Sequence, residues 1–458
     1  MAVSQDTVSQ EQQQKTRWLD ALAVYLRPRV LIVLFLGFSA GLPLALSGST
    51  LLYWAAEVGV DLKTIGLFAL IGTPYTIKFL WAPLVDALDV PVLARVLGRR
   101  RAWLLFSQLL LMAAIALLGA CDPVAAPAVV ALGGLLVAAA SATQDIVIDA
   151  FRVESLSESE QAAGMASYVA AYRIGMLVSS AGALYVVSGF EWLGYSKQGG
   201  WTGSYAVMAA LVVVGMVTTL VATEPETSAV AAREHSRMGV VERLVTTVVG
   251  AFLDFFQREG IVVALTVLVF VVLFKLTDAL AGVMTGPFTV DLGFTRNEYA
   301  TIIKGVGLGA SLVGGFAGGY VARALPLATS LWIGGIVQAL ANLAFSWQAV
   351  VGRDVGWLTF AISVENFTSA IGTVIFVAYL SALCRNPLHT ATQYALLTAL
   401  AAVGRTYLSA GAGFIASATG WMWFFVICAL AGIPGLLLLA WLQARGHFAA
   451  LGNSKRES

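Results

Sequence analysis

Charge is scarce in this chain. Only 12% of its 458 residues are Asp, Glu, Lys or Arg, about half the roughly 25% usual in soluble domains. Mean hydropathy is +0.83 and 59% of residues are hydrophobic, which excludes a water-soluble globule. Cysteine is also rare. Cys121, Cys384 and Cys428 fall within or at the ends of apolar runs, so a disulfide framework and redox chemistry are not expected, and the three read as small apolar residues. The three histidines, His235, His389 and His447, lie in polar segments; no imidazole is available inside an apolar run, and proton chemistry there falls to carboxylates. Walker A, HExxH and clustered Cys/His patterns are missing, as is an intramembrane Ser and His pair. An enzyme is therefore not expected, nor a cofactor, a bound metal or a nucleic-acid partner.

What the chain has in abundance is long apolar runs. About 20 such residues cross the hydrocarbon core as an α-helix. Twelve runs are predicted, at 30–56, 64–86, 102–121, 127–149, 162–188, 203–222, 260–286, 297–322, 327–348, 356–384, 390–417 and 420–442. The polar, Gln-rich start lacks the apolar stretch and cleavage site of a signal peptide and reads as a short cytoplasmic tail. Cations settle the expected orientation. With the N-terminus inside, 18 of the 27 Lys and Arg residues fall in cytoplasmic segments and only Lys63, Lys197, Arg296 and Arg353 on the other side, so both termini are expected in the cytoplasm.

The chain also repeats itself. "EVGVDLKTIG" (57–66) resembles "DLGFTRNEYA" (291–300), and "RIGMLVSSAGALYVVSGFEW" (173–192) resembles "RTYLSAGAGFIASATGWMW" (405–423), at offsets of about half the chain. Six spans per half keep the repeats parallel. The expected division is a tail at 1–29, a six-helix half at 30–222, a linker at 223–259, a second six-helix half at 260–442 and a tail at 443–458. Within the linker, 240–256 has the pattern of an amphipathic helix lying on the inner membrane surface. Between the second and third spans, Asp86 precedes "GRRRAW" (98–103). An acid and a basic cluster in that loop resemble a motif of the major facilitator superfamily. The resemblance implies an all-α integral membrane protein with two six-helix bundles around a central cavity. It also implies gating roles for Asp86, Arg99, Arg100 and Arg101. The loop departs from the motif in having "WAP" (81–83) where a glycine often stands and extra residues before the arginines.

Longer stretches sharpen the match. "GFSAGLPLALSGSTLLYW" (37–54), "DLKTIGLFALIGTPYTIKFLWAPLVD" (61–86), "GRRRAWLLFSQLLL" (98–111), "SATQDIVIDA" (141–150) and "ATQYALLTALAAVGR" (391–405) resemble the AmpG family, the muropeptide permeases of Gram-negative bacteria. The resemblance implies proton-driven import of N-acetylglucosaminyl-1,6-anhydro-N-acetylmuramyl peptides across the bacterial inner membrane, for cell-wall recycling and β-lactamase induction. The implied partners are that glycopeptide, protons and the lipid bilayer, with the chain a monomer. Eukaryotic acetyl-CoA transporters are distant relatives, so another anionic solute stays open as cargo, as does a receptor or assembly factor that no longer transports.

Charges inside the spans cost roughly 2.5 to 3.5 kcal/mol each at the bilayer centre, so each needs a partner or a cavity. Asp145 and Asp149 are four apart on one helix face. Two carboxylates at that spacing disfavour joint ionisation, and one can hold a proton. Alternatively both belong to a cytoplasmic gate with Arg152 or the arginine loop; Gln144 and Asp145 reach deeper and suit a site better. Arg173 and Arg405 occupy equivalent places in the two halves and suit an anionic ligand, since guanidinium grips carboxylates bidentately. For both the alternative is a structural ion pair, for Arg405 with Glu365; Glu365 and Asn366 are also candidates to bind the cargo. Tyr168 and Tyr172 can present rings and hydroxyls to a sugar or simply pack. Lys275 and Asp278 can pair with each other, or Asp278 can be the coupling acid, as can Asp145, Asp149 or Glu365. Lys78 reaches toward Asp86 or the cytoplasmic surface, and Lys304 toward the far mouth. "GLPL" (41–44) marks a break or hinge in the first span.

Overall fold

The computed structural model describes residues 23–225, 256–257, 260–384, 390–449 and 451; the expected amphipathic helix of the linker, His235 and His389 lie outside them. Among the described residues ten helical runs are long and apolar enough to cross a membrane. We label the passes α1 (Pro28–Glu57), α2 (62–87), α3 (Arg99–Ala120), α4 (Pro127–Ser155), α5 (Ala163–Trp192), α6 (Lys197–Val221), α7 (Ile261–Asp291), α8 (Arg296–Ala324), α9 (Leu327–Val351), α10 (Val355–Leu383), α11 (390–420) and α12 (421–444). The run Leu396–Ala444 spans 49 residues, twice what one crossing needs. It turns at Gly420, whose φ of 75° and ψ of 165° are not helical, and so makes two passes. The pass at 62–87, expected as one helix, is instead a chain of short segments, Leu62–Leu67, Phe68–Gly72, Thr73–Ile77, Lys78–Leu80 and Ala82–Ala87. Pro74 and Pro83 stand in the first turns of two of these, where a missing N–H costs least.

The lipid-facing surface is apolar, with Leu110, Leu117, Leu132, Val217, Phe316 and Tyr320 exposed. Lipid is as apolar as leucine, so helices are held together by close backbone approach rather than by a hydrophobic force. Gly37 and Gly41 of α1 lie against the backbone of Tyr168 and Tyr172 of α5, and Gly175 of α5 lies against Phe38 and Gly41. A Cβ on Gly37 would sit 2.6 Å from the Tyr168 carbonyl oxygen. The glycine of "GLPL" therefore serves packing. Helix α1 runs through Pro43 to Ser47 and breaks at Gly48, several residues later than expected.

Irregular backbone recurs at matched places in the two halves. The Gly48 break answers to one at Lys275, Phe68–Gly72 to Ala300–Val306, and Val178–Gly182 to Gly404–Leu408. The separations are 226 to 232 residues, the offset seen in the sequence repeats. Three of these stretches are π-helical, a local underwinding often found at functional sites.

The arginine loop holds the first half together. Gly98 has φ of 86°, a conformation that favours glycine. Glu224, just after α6, accepts the backbone N–H groups of Arg100 and Arg101 at 2.7 and 3.0 Å, capping the start of α3. In return Arg101 donates to the carbonyls of Thr219 and Leu220 at the end of α6. Arg100 grips Glu154 of α4 through two bonds of 2.6 and 3.0 Å. Arg100 and Arg101, expected at a gate, thus staple α3, α4 and α6 in this structure. The Asp86 side chain lies outside the described residues.

Candidate functional site

The halves meet tightly at one end only. One continuous apolar cluster joins Leu51, Tyr53 and Trp54 of the first half to Met284, Phe288 and Tyr299 of the second. The clusters nearer the arginine-rich end stay within one half each. Hydrogen bonds follow the same division. Those found between the halves among the described residues lie at the end away from the arginines or at mid-depth. Tyr185 meets Thr301 at 2.6 Å and Ser188 meets Asn297 at 3.1 Å. At the centre is Arg296, 8% exposed. It reaches Glu57 of α1 at 2.7 Å and Glu191 of α5 at 2.9 Å, over the ring of Trp201 at 5.7 Å. Trp201 in turn donates to Glu57.

Below this seal is a cavity of about 580 Å³. Its wall includes Ser47, Gly48 and Ser49 of α1, Tyr75 of α2, Arg173 of α5, Lys304 of α8, Glu365 and Asn366 of α10 and Arg405 of α11. The irregular stretches, all but the Lys275 break, line it, as expected where backbone groups face water rather than lipid. Arg173 and Arg405 are exposed within it, one from each half. Among the described residues neither has a carboxylate within ion-pair distance. The ion pair of Arg405 with Glu365 is therefore not formed. Glu365 instead accepts from Asn366 at 2.8 Å, and Ser311 donates to the Asn366 carbonyl. Three cations face one acid across this space, an arrangement that attracts an anion and can hold two of its carboxylates bidentately.

Other expected residues lie elsewhere. Lys275 pairs with Asp278 at 2.8 Å, and Ser369 donates to the same carboxylate oxygen; neither charged residue lines the cavity. Gln144 is fully buried behind its wall. Asp145 has Lys78 4.0 Å away, so Lys78 faces an acid of the bundle rather than the surface. Asp149 pairs with Arg152 at 3.8 Å at the arginine-rich end. The rings of Tyr168 and Tyr172 stand 5.9 Å apart near the α1 glycines. Lys304, expected to reach for the far mouth, bends into the cavity and donates to Ser49 of the other half at 3.0 Å.

Three residues of the seal, Glu57, Glu191 and Arg296, were not among the sequence candidates. Glu57 and Arg296 do lie in or beside the first repeated motif, and an acid and a base there were the available signal.

Comparison with known proteins agrees with this architecture. The Major Facilitator Superfamily profile matches residues 33–406. The anhydromuropeptide permease of Escherichia coli K12 is 39% identical over 419 residues, covering 91% of this chain and 80% of that protein. Putative transporter AmpG 4 of Rickettsia conorii is 34% identical, covering 91% and 97%. The crystal structure of the nucleoside transporter NupG superposes with a TM-score of 0.65 at 13% identity, covering 92% and 99%, which is a likeness of fold. The chain thus belongs to the AmpG family of the major facilitator superfamily and is a membrane transporter.

Proposed function

We propose that this transporter imports anhydromuropeptides, GlcNAc-1,6-anhydroMurNAc peptides, from periplasm to cytoplasm, driven by protons. The observation that carries the reading is the pair of unpartnered arginines, Arg173 and Arg405, facing one cavity from equivalent helices. A peptide carrying several carboxylates meets two forked donors there. Glu365 and Asn366 are placed for an amino or hydroxyl group of the same ligand. The names of the relatives point to the same cargo.

In this reading the arginine-rich end faces the cytoplasm, the seal around Arg296 closes the periplasmic side, and the chain works as a monomer in the inner membrane. Moving an anion inward works against the membrane potential by about 2.3 kcal/mol per charge per 100 mV. A carboxylate that carries protons with the cargo offsets that cost, and Asp145, buried behind the cavity wall, and Glu365, in the wall itself, are the candidate acids. The test is uptake of labelled anhydromuropeptide into proteoliposomes under an imposed pH gradient, beside its separate sugar and peptide. We expect uptake of the intact molecule that collapses with a protonophore. No uptake of any of the three ends the reading.

A further inference from the structure

At and behind the cavity wall a second polar group of side chains leaves several buried polar atoms short of close partners. Ser141, Gln144 and Asp145 stand at i, i+3 and i+4 of α4 and share one face. Ser141 and Gln144 are fully buried and Asp145 is 8% exposed. The Ser141 hydroxyl, both polar atoms of the Gln144 amide, Oδ1 of Asp145 and the Tyr75 hydroxyl have no hydrogen-bond partner within 3.5 Å, although the Tyr75 hydroxyl stands close to those of Ser141 and Ser47. Tyr75 lines the cavity, while its hydroxyl lies among Ser47, Ser141 and Asp145. Buried polar atoms left short of close partners are costly unless water satisfies them. They offer the several polar contacts a buried water needs.

We propose that Tyr75, Ser141, Gln144 and Asp145 enclose an internal water chain along which the coupling proton passes between the cavity and the Asp145 carboxylate. This rests on the proton-driven reading above. The chain begins at Tyr75, the one member that also lines the cavity. The proton ends on Oδ1, the oxygen turned away from Lys78, whose ammonium is nearer to Oδ2. Asp145 becomes neutral and Lys78 keeps its charge. The proton leaves toward Asp149, one turn on and 54% exposed. The groups around Asp145 are Tyr75 and Lys78 from α2, Asp149 and Arg152 from α4, and Tyr168 and Tyr172 from α5. Helix α1 brings no ionisable side chain between Leu31 and Leu52, nor α3 between Ala102 and Ala120. Gln338 and Asn342 in the second half also leave buried polar atoms unpaired, but their helix, α9, carries no acid.

The test uses the full-length protein in proteoliposomes with labelled anhydromuropeptide and an internal pH dye. Ser141→Ala and Gln144→Leu interrupt the water contacts without touching the cavity wall. We expect each to keep counterflow exchange while pH-driven accumulation and the substrate-evoked proton signal fall at least about tenfold, as for loss of a positioned proton relay. Gln144→Glu restores a polar chain and is expected to recover part of the signal. Variants that accumulate and acidify like the wild type overturn the route, and so do variants that lose exchange and accumulation equally, since the residues then only support the wall. Accumulation that follows a sodium gradient with no proton signal also overturns it, in favour of a bound cation. A wild-type protein that transports without any proton signal refutes the proton-driven reading itself, a result separable from the variants' behaviour.

Discussion

Arg296 of α8 holds Glu57 of α1 at 2.7 Å across the line between the two halves. The same guanidinium holds Glu191 of α5, so one cation fastens two helices of the opposite bundle. Removing one member of a buried pair costs about 3 to 5 kcal/mol because the other charge is left unpaired. The apolar cluster around Tyr53 and Tyr299, whose rings stand 4.3 Å apart, is then the main remaining closure. Arg296→Ala should widen the distance between spin labels at the far ends of α1 and α8. Arg296→Lys, which cannot grip both carboxylates in one plane, should do so less. Unchanged distance distributions in both would show that the apolar contacts close this end unaided.

A second expectation concerns the two cavity arginines. Lysine keeps the charge but not the forked geometry, so Arg173→Lys and Arg405→Lys should each weaken apparent affinity by about tenfold, equivalent to about 1.4 kcal/mol, with normal expression. Titration of labelled substrate against the purified variants measures this. Retained affinity in both lysine variants and in Arg173→Ala would remove the arginines from the ligand.

Asp145→Asn imitates a carboxyl that never releases its proton. Accumulation against a gradient should fall at least about tenfold, and exchange should be spared more than accumulation. Glu365→Gln, parallel in chemistry but inside the cavity, should weaken binding instead. If their effects are interchanged, the coupling acid is Glu365.

At the arginine-rich end, Glu160 accepts from Arg27 at 3.0 Å and from the Ser157 backbone at 3.1 Å. These bonds, that from Arg27 foremost, hold its carboxyl below its ordinary value of 4.5. A lowered folded-state value means the contribution to stability is present above about pH 4.5 and fades as the group protonates on acidification. Thermal unfolding of Glu160→Gln should therefore start from a lower midpoint at neutral pH, and the difference from wild type should shrink in acid. A gap that stays constant with pH would assign the effect to something other than this charge.

Much of the architecture was legible in the chain because a membrane imposes few solutions. Lipid cannot satisfy backbone hydrogen bonds, so long apolar runs must be helices, and scarce cations sort to one side. The duplicated segments reported two halves, and Arg173 and Arg405 stood out because a guanidinium inside a span needs a reason. Glu57 and Arg296 stood out less, since charges near the ends of spans are ordinary and only their place in the repeated motif marked them. Lys304 was misplaced for a related reason: a long lysine stem reaches in either direction, and only the neighbouring Ser49 decides which.

By itself, then, the sequence determined that this protein is a helical membrane transporter built of two related halves with a cationic interior. The physical cause is local: hydropathy and side-chain charge belong to each segment whatever its neighbours are. Tertiary structure alone decided which charges are partners. It sent Arg100 to Glu154, Arg296 to Glu57 and Glu191, and Lys275 to Asp278, leaving Arg173 and Arg405 facing the cavity. It also decided which end is closed, because contacts between residues more than 200 positions apart depend on how two finished bundles lean against each other.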